Sequence, residues 1–300
     1  MQGLNYIKHK NIDFAKWDNV ILNSPIPLVF AQSFYLNATS PNWDALILND
    51  YESVLPVTFK KKLGILYLPQ PSFTSQLGVF GNTKTEIVSE FYTYIKKTFK
   101  LIEYEFNYSN KLNSTNTKPK KTFIIDYKNE INYNQNTIRN IKKAQSLNYQ
   151  AQFINPNDSE SLVKKHIYPF LKSISIKNNQ LKVFSKLINQ AININALHCM
   201  VTKDPKNKIV AIAFFIYNAN YVLYLKGTTL DKNENSGSMH LLLDFAIKHY
   251  SNTKKFFDFG GGSINIGLAN FYKGLGGKEL NYQYVKVNNL PKLIKMIKKN

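Results

Sequence analysis

One cysteine, one arginine and no long apolar run set the first limits on this sequence of 300 residues. Cys199 has no partner for an intramolecular disulfide, which fits a reducing compartment. It lies in Leu197-His198-Cys199-Met200-Val201, which reads as a strand, where a small buried hydrophobe is expected rather than a nucleophile or metal ligand. No stretch of about 18 apolar residues occurs, so no membrane-spanning helix is expected. Met1-Gln2-Gly3-Leu4-Asn5-Tyr6 has neither a basic nor an apolar leader region, and we expect a cytoplasmic protein without a signal peptide. The five histidines lack metal-ligand spacing, so no metal is expected. No Ser/His/Asp grouping and no dinucleotide fingerprint occur.

Acidic residues are also scarce, 19 against 39 basic ones, for a net charge of +20. Such a balance invites a nucleic-acid reading, because phosphate neutralisation drives that binding. The composition argues otherwise. Arg139 is the only arginine, and lysine, asparagine and isoleucine are all abundant, as an AT-rich coding sequence would give. The lysines are dispersed, so a basic surface that tolerates anionic ligands is expected, not a dedicated DNA-binding module.

The length suits two domains. In the second half, Asn136 or Thr137 is expected to cap a helix carrying Ile138, Ile141 and Ala144, and Asn148 suits the left-handed position that ends it. Tyr149, Ala151 and Phe153 alternate as a strand. Two helical stretches follow, the second with Leu181, Phe184, Ile188 and Ala191 at helical spacing. Strands are expected at 194–203, 208–217 and 221–226, then a loop, a helix at 239–250, a strand at 256–259, a short helix and a strand at 282–287. The first half gives a similar order: strand 4–9, helices 13–22 and 28–35, strands 43–48, 54–59 and 65–68, helix 85–99, strands 101–106 and 122–127. Residues 107–120, rich in Asn, Ser and Lys, read as a mobile loop. We therefore expect domains at 1–130 and 131–300.

The most informative stretch is residues 256–277. An aromatic strand, Phe256-Phe257-Asp258-Phe259, runs into Gly260-Gly261-Gly262, and a short helix carrying Lys273 ends at Gly276-Gly277. Glycines at a strand end allow close approach of backbone to a ligand or positive φ. A strand end that opens onto a helix N-terminus is a common ligand site in α/β proteins. A tight β-to-α turn accounts for the same residues.

Arg139-Asn140-Ile141-Lys142-Lys143-Ala144 resembles the R-N-I-x-K-A helix that opens the second domain of FemAB-like proteins. Phe257-Asp258-Phe259-Gly260-Gly261 and the run from Gly267 to Gly277, GLANFYKGLGG, resemble that group's F-D-F-G and G-[LIV]-A-x-F-x-[KR]-x-[FL]-G. Leu68-Pro69-Gln70-Pro71 with Gln76-Leu77-Gly78-Val79-Phe80 resembles its first-domain loop. The resemblance is thus to the FemAB-like branch of the GNAT acyltransferases. It implies an α/β (α+β) fold of two tandem GNAT-like domains, each a mixed, largely antiparallel sheet flanked by helices. It also implies transfer of an acyl or aminoacyl group to an amine. No long helical arm of the FemA type fits between the helices at 158–191, which favours a small thioester donor such as acyl-CoA. Residues 233–239 keep only one glycine of the usual GNAT pyrophosphate loop.

The expected activity is an N-acyltransferase that moves an acyl group from acyl-CoA, a co-substrate rather than a bound cofactor, to an amine of a sugar or cell-envelope precursor. The alternatives are an aminoacyl-tRNA-dependent transferase, the one case with a nucleic-acid partner, and a non-catalytic GNAT-like protein binding an anionic polymer. Ser236, Gly237 and Ser238 open a helix whose free N–H groups suit the donor's pyrophosphate, with Lys226 and Lys232 in the same loop. Capping serines and solvated lysines fit as well. Lys273 is a candidate for stabilising the tetrahedral oxyanion. Asp258 is a candidate for binding the amine or acting as base, or else bonds N–H groups of the glycine turn. Arg139 can clamp an acidic group of the acceptor, or form a salt bridge between domains. Gln70 and Gln76 are candidates for the acceptor cleft or for loop structure. Gly260, Gly261 and Asn270 complete the expected acceptor side.

Overall fold

A computed structural model describes residues 3–155, 158–231, 236–261 and 265–290. In chain order it has β1 (Leu4–Ile7), α1 (Phe14–Asn23), α2 (Ser33–Thr39), β2 (Asp44–Leu48), β3 (Ser53–Val57), β4 (Lys60–Lys62), β5 (Ile65–Pro69), β6 (Phe80–Gly81), α3 (Thr85–Thr98), β7 (Leu101–Phe106) and β8 (Thr117–Asp126). The remainder is α4 (Gln135–Ser146), β9 (Gln150–Ile154), α5 (Ser159–Leu162), α6 (Tyr168–Ser173), α7 (Asn178–Asn193), β10 (Leu197–Lys203), β11 (Ile209–Tyr217), β12 (Tyr221–Thr229), α8 (Ser238–Tyr250), β13 (Phe256–Asp258), α9 (Ile266–Gly274) and β14 (Lys278–Asn288).

Two compact units result: the described residues of Met1–Lys120 with those of Asn281–Asn300, and those of Lys121–Leu280. The borders fall at 120/121 and 280/281, not at the expected 130/131. The reason is that β8 and β14 are single unbroken strands that run through both borders, so no linker composition marks them. In the first unit the strand orders are β1-β2-β3-β6 and β4-β5-β7-β14; in the second the order is β8-β13-β12-β11-β10-β9. Each unit holds one parallel pair, β5 beside β7 and β12 beside β13, among antiparallel neighbours. Parallel neighbours need a crossover connection, and α3 and α8 supply it. The doubled element order is therefore a doubled crossover.

β11 reads Ile-Val-Ala-Ile-Ala-Phe-Phe-Ile-Tyr with Val210–Ile216 buried, the signature of a central strand covered on both faces. On one face α8 lays Leu242, Leu243, Ala246, Ile247 and Tyr250 against Ala213, Phe215, Tyr224, Phe257 and Phe259. α7 buries Leu181, Phe184, Ile188 and Ala191, as their spacing requires, with Leu187 added.

Three local expectations change. The segment 28–35 is a single 3-10 turn, Val29–Ala31, followed by α2 from Ser33. β8 begins at Thr117, inside the segment expected to be a loop. α4 is capped by Asn134, not Asn136 or Thr137: the Asn134 Oδ1 accepts from the Thr137 N–H at 2.8 Å. The sequence offers asparagines at 132, 134 and 136, and a tertiary bond selects among them, the Asn134 N–H donating to the Gly274 carbonyl at 3.0 Å. Asn148 has the expected left-handed conformation, φ 54°.

Candidate active site

Three helices converge in the second unit because glycines let them. Gly237, the N-cap of α8, has φ +77°, and a Cβ there would sit 2.1 Å from the Asn140 carbonyl oxygen of α4. A Cβ on Gly274, at the end of α9, would meet the Thr137 Oγ1 at 2.8 Å and the Asn134 Nδ2 at 3.0 Å, also on α4. Gly274, the first glycine of the GLGG run, thus lets α9 approach the start of the R-N-I-x-K-A helix. The two motifs are one packing unit.

Where these helices meet lies a cavity of about 590 Å³. α4 contributes Asn136, Asn140 and Lys143; β12 contributes Thr229; the first turn of α8 contributes Gly237, Ser238, Met239 and His240; α9 contributes Phe271. Positions 136, 140 and 143 share one helix face by their spacing. His240 and Phe271 meet edge to face with ring centroids 4.8 Å apart. Burial lowers the His240 pKa to about 4, so its imidazole is neutral near pH 7.

Among the described residues, the N-cap of α8, Gly237, makes no side-chain cap bond. The Ser236 Oγ accepts a long bond, 3.3 Å, from the Ser238 N–H. Ser238 is 2% exposed, and its Oγ has no hydrogen-bond partner among the described residues. First-turn N–H groups have no intrahelical acceptor. An unpaired buried hydroxyl beside them, with Lys143 on the opposite wall, is an arrangement complementary to an anion.

Of the expected donor residues, Gly237 and Ser238 line the cavity and Ser236 adjoins them; Lys232 lies outside the described residues. Lys226 does not line it. Strict alternation would put Lys226 on the face of Tyr224, but a bulge pairs Phe215 with Tyr224 and Phe214 with Lys226. The extra residue, Leu225, turns Lys226 to the other face of the sheet, where burial depresses its pKa. Lys143, Asn136, Asn140, His240 and Phe271 are the residues that sequence reasoning missed. For Asn136, Asn140 and Lys143 the signal was a polar face on α4, legible only once the partner of that face is known; His240 and Phe271 carried none.

Asp258 is fully buried. It accepts from the Tyr221 hydroxyl at 2.5 Å, the Gly260 N–H at 2.8 Å and the Thr122 hydroxyl at 3.2 Å. Gly260 and Gly261 take φ of +76° and +123°, and a Cβ on Gly260 would lie 2.8 Å from the Tyr224 carbonyl oxygen. The carboxylate therefore ties the glycine turn to β12 just past the last β12–β13 pair, Leu223 with Asp258. Gly262 lies outside the described residues.

Burial raises the Asp258 pKa from 3.8 to about 6. The folded protein then holds this proton where the unfolded chain has lost it, so stability falls as pH rises from about 4 to about 6. The expected loss is about 3 kcal/mol over that interval. Asp258→Asn keeps the shape and the acceptor for Gly260 but removes the charge. Melting curves of this variant should be flatter over the same interval and match or exceed the wild type at pH 7. Identical pH profiles for the two proteins would contradict this.

Lys273 is 50% exposed; its Nζ lies 2.8 Å from Glu279, which Lys121 also contacts at 2.6 Å, and 5.8 Å from the Phe123 ring centroid. Two residues beyond Phe271, it projects from the far side of α9 relative to the cavity. Asn270 is exposed on the same helix. Arg139 is exposed, next to the cavity-lining face of α4, and makes no ion pair among the described residues. In the first unit, Gln70 spends both ends of its amide on the fold, accepting from the Glu105 N–H and donating to the Thr74 carbonyl. Gln76 is fully buried and accepts from the Tyr108 N–H. Both glutamines fasten the 70–80 loop to the end of β7.

The architecture is a tandem GNAT-like fold. No protein-family model and no curated protein matches the sequence. Solved structures do match. The chain is similar to FemX, with a TM-score of 0.69 at 10% identity over 99% of this chain and 100% of that one. It is similar to the C-terminal domain (DUF2156) of a putative lysylphosphatidylglycerol synthetase from Agrobacterium fabrum, with a TM-score of 0.59 at 7% identity over 96% and 95%. A tandem GNAT protein from the clavulanic acid biosynthesis pathway gives a TM-score of 0.51 at 9% identity over 96% and 99%. These identities establish a shared fold; the chemistry must be argued from the site.

Proposed function

We propose that this chain transfers an acyl group from a phosphate-bearing thioester donor, acyl-CoA, to an amine, and that the α4–α8 cavity holds the donor's diphosphate. The observation that carries this reading is the N-terminus of α8, without a side-chain cap bond at Gly237 among the described residues, facing the cavity beside the unpaired Ser238 hydroxyl. Backbone N–H groups and the helix dipole favour an anion there, and Lys143 supplies a further donor. The cavity volume lies in the usual range for small-molecule sites.

In the reaction, the amine lone pair attacks the thioester carbonyl carbon, a tetrahedral oxyanion forms, and its collapse forms the amide and expels the thiolate. The proton lost by the amine ends on the thiol. In coenzyme A the thioester lies far from the diphosphate, so the residues that hold phosphate and those that serve the reacting carbon belong to different parts of the site. We assign Lys273 to the oxyanion and Arg139 to an acidic group of the acceptor, an amino sugar or cell-envelope precursor. Asp258 is a positioning residue that holds the Gly260-Gly261 turn.

Calorimetric titration with CoA tests the cavity. Lys143→Met should weaken binding about tenfold, the scale of one charge-assisted contact. Ser238→Ala should weaken it a few-fold while leaving the melting temperature equal or higher, because an unpaired buried hydroxyl is removed. Wild-type CoA affinity in both variants would remove the cavity from the site. Charged tRNA offers phosphates to the same residues, but its binding would fall steeply with salt, whereas a small donor neutralises few charges and should give a shallow slope. A steep slope with tight, amino-acid-dependent tRNA binding would replace acyl-CoA as donor.

A further inference from the structure

The β4–β5 hairpin of the first unit carries residues that its own fold does not require. Its two-residue turn, Leu63-Gly64, has φ of +49° and +75°, the type I′ pattern in which Asn-Gly is strongly preferred. This chain is rich in asparagine and uses it freely for that conformation. Among the described residues, five of the nine non-glycine positions with positive φ are asparagine, and Leu63 alone is aliphatic. Leu63 is also 84% exposed, so it gains no packing in return for the strained backbone. Both local rules are broken at one residue, at the tip of a protruding turn.

What surrounds Leu63 is consistent in kind. Lys60, Lys61 and Lys62 are all exposed and form no ion pair among the described residues. Each stands directly opposite an apolar or aromatic residue: Lys60 opposite Tyr67, Lys61 opposite Leu66, Lys62 opposite Ile65. Leu66 is itself 40% exposed. Both faces of the hairpin thus pair an ammonium with an apolar neighbour, behind an apolar tip. Lysines on an end strand also discourage edge-to-edge pairing of sheets, which accounts for the charges. That role gives no reason for an exposed leucine in the turn.

We propose that this hairpin is a membrane-surface contact: Leu63, with Ile65 and Leu66 behind it, enters the headgroup boundary of an anionic bilayer, and Lys60–Lys62 bind lipid phosphates. Lysine stems can lie along apolar surface while their heads reach the phosphates, so the alternation on each face matches a charged interface. A purely polyanionic partner such as RNA would use the lysines and leave Leu63 idle. The net charge of +20 adds a long-range attraction of the same sign. This contact is independent of the transferase reading.

Co-sedimentation of the full chain with vesicles of phosphatidylglycerol and phosphatidylcholine tests it. The wild type should bind these vesicles, bind pure phosphatidylcholine vesicles far less, and be released by salt. Neutralising all three lysines to glutamine should weaken binding roughly a hundredfold, at about fivefold for each. Leu63→Asn is the sharper variant. It places the preferred residue in a type I′ turn, so the melting temperature should hold or rise, while vesicle binding should fall roughly tenfold or more from loss of the apolar contact. Failure of the wild type to bind anionic vesicles overturns the proposal. So does wild-type vesicle affinity in Leu63→Asn, and so does a lysine-dependent preference for RNA over vesicles that Leu63→Asn does not change.

Discussion

Gly237→Ala should lower the stability of the second unit by about 4 kcal/mol, near the top of what one methyl group can do. Two costs combine. A positive φ in a non-glycine residue costs about 1–2 kcal/mol, and Gly237 sits at +77°. The added Cβ would also lie 2.1 Å from the backbone oxygen of Asn140, which no rotamer change can relieve. Overpacking of this kind costs about 1–3 kcal/mol. For a unit of this size the sum corresponds to a drop of roughly 10 °C in melting temperature. CoA binding should be lost with it, because the only relief is to part α8 from α4, and these two helices supply most of the cavity wall. Gly64→Ala is the control. Gly64 also has positive φ, +75°, but nothing lies within 4 Å of its Cβ position, so only the conformational cost should appear. A Gly237→Ala protein that melts like the Gly64→Ala protein would show that α8 and α4 do not touch at Asn140.

Legibility in the sequence followed the range of the interactions involved. Long periodic elements were readable because their signal is local. α7 announces itself through Leu181, Phe184, Ile188 and Ala191, and β7 at Leu101–Phe106 is found residue for residue. Asn148 was readable because few residues tolerate its conformation. The cap of α4 was not, because Asn134 and Asn136 are equally good caps and a carbonyl 140 residues away, on Gly274, chooses between them. The site failed in the same way. Ser236, Gly237 and Ser238 are legible as a helix start, but Lys226 is a donor candidate only by its place beside the loop that precedes them, and one bulged residue, Leu225, sets the face it takes. A bulge leaves little trace in composition. Lys143 and Asn140 were part of a recognised motif, yet which side of α4 faces α8 is decided by two glycines on other elements.

Lys273→Met carries the largest expected effect on turnover, and the ion pair at Glu279 sharpens how it should be read. The Lys121–Glu279–Lys273 group has one carboxylate between two ammonium groups and so a net charge of +1. Glu279, its pKa held down by hydrogen bonds from Lys121 and Lys273, and the ring of Phe123 fix the position of the Lys273 ammonium. A cation held in place before the reaction costs no reorganisation when an oxyanion develops. If Lys273 serves that oxyanion, methionine should lower kcat by roughly 10²–10³, the scale for removing one such donor. CoA affinity should be unchanged, because Lys273 projects from the opposite side of α9 to Phe271 and the cavity. Methionine keeps an aliphatic stem of similar length, and a largely solvated ion pair contributes little to stability, so the melting temperature should hold. Glu279→Gln separates chemistry from structure. It breaks the same pair but leaves the ammonium, so turnover should stay within about threefold of wild type if the ammonium is what matters. Full activity in Lys273→Met, with small equal shifts in melting temperature for both variants, would reduce Lys273 to half of a surface ion pair. The oxyanion would then need a donor from the backbone of the Gly260-Gly261 turn that Asp258 holds in place.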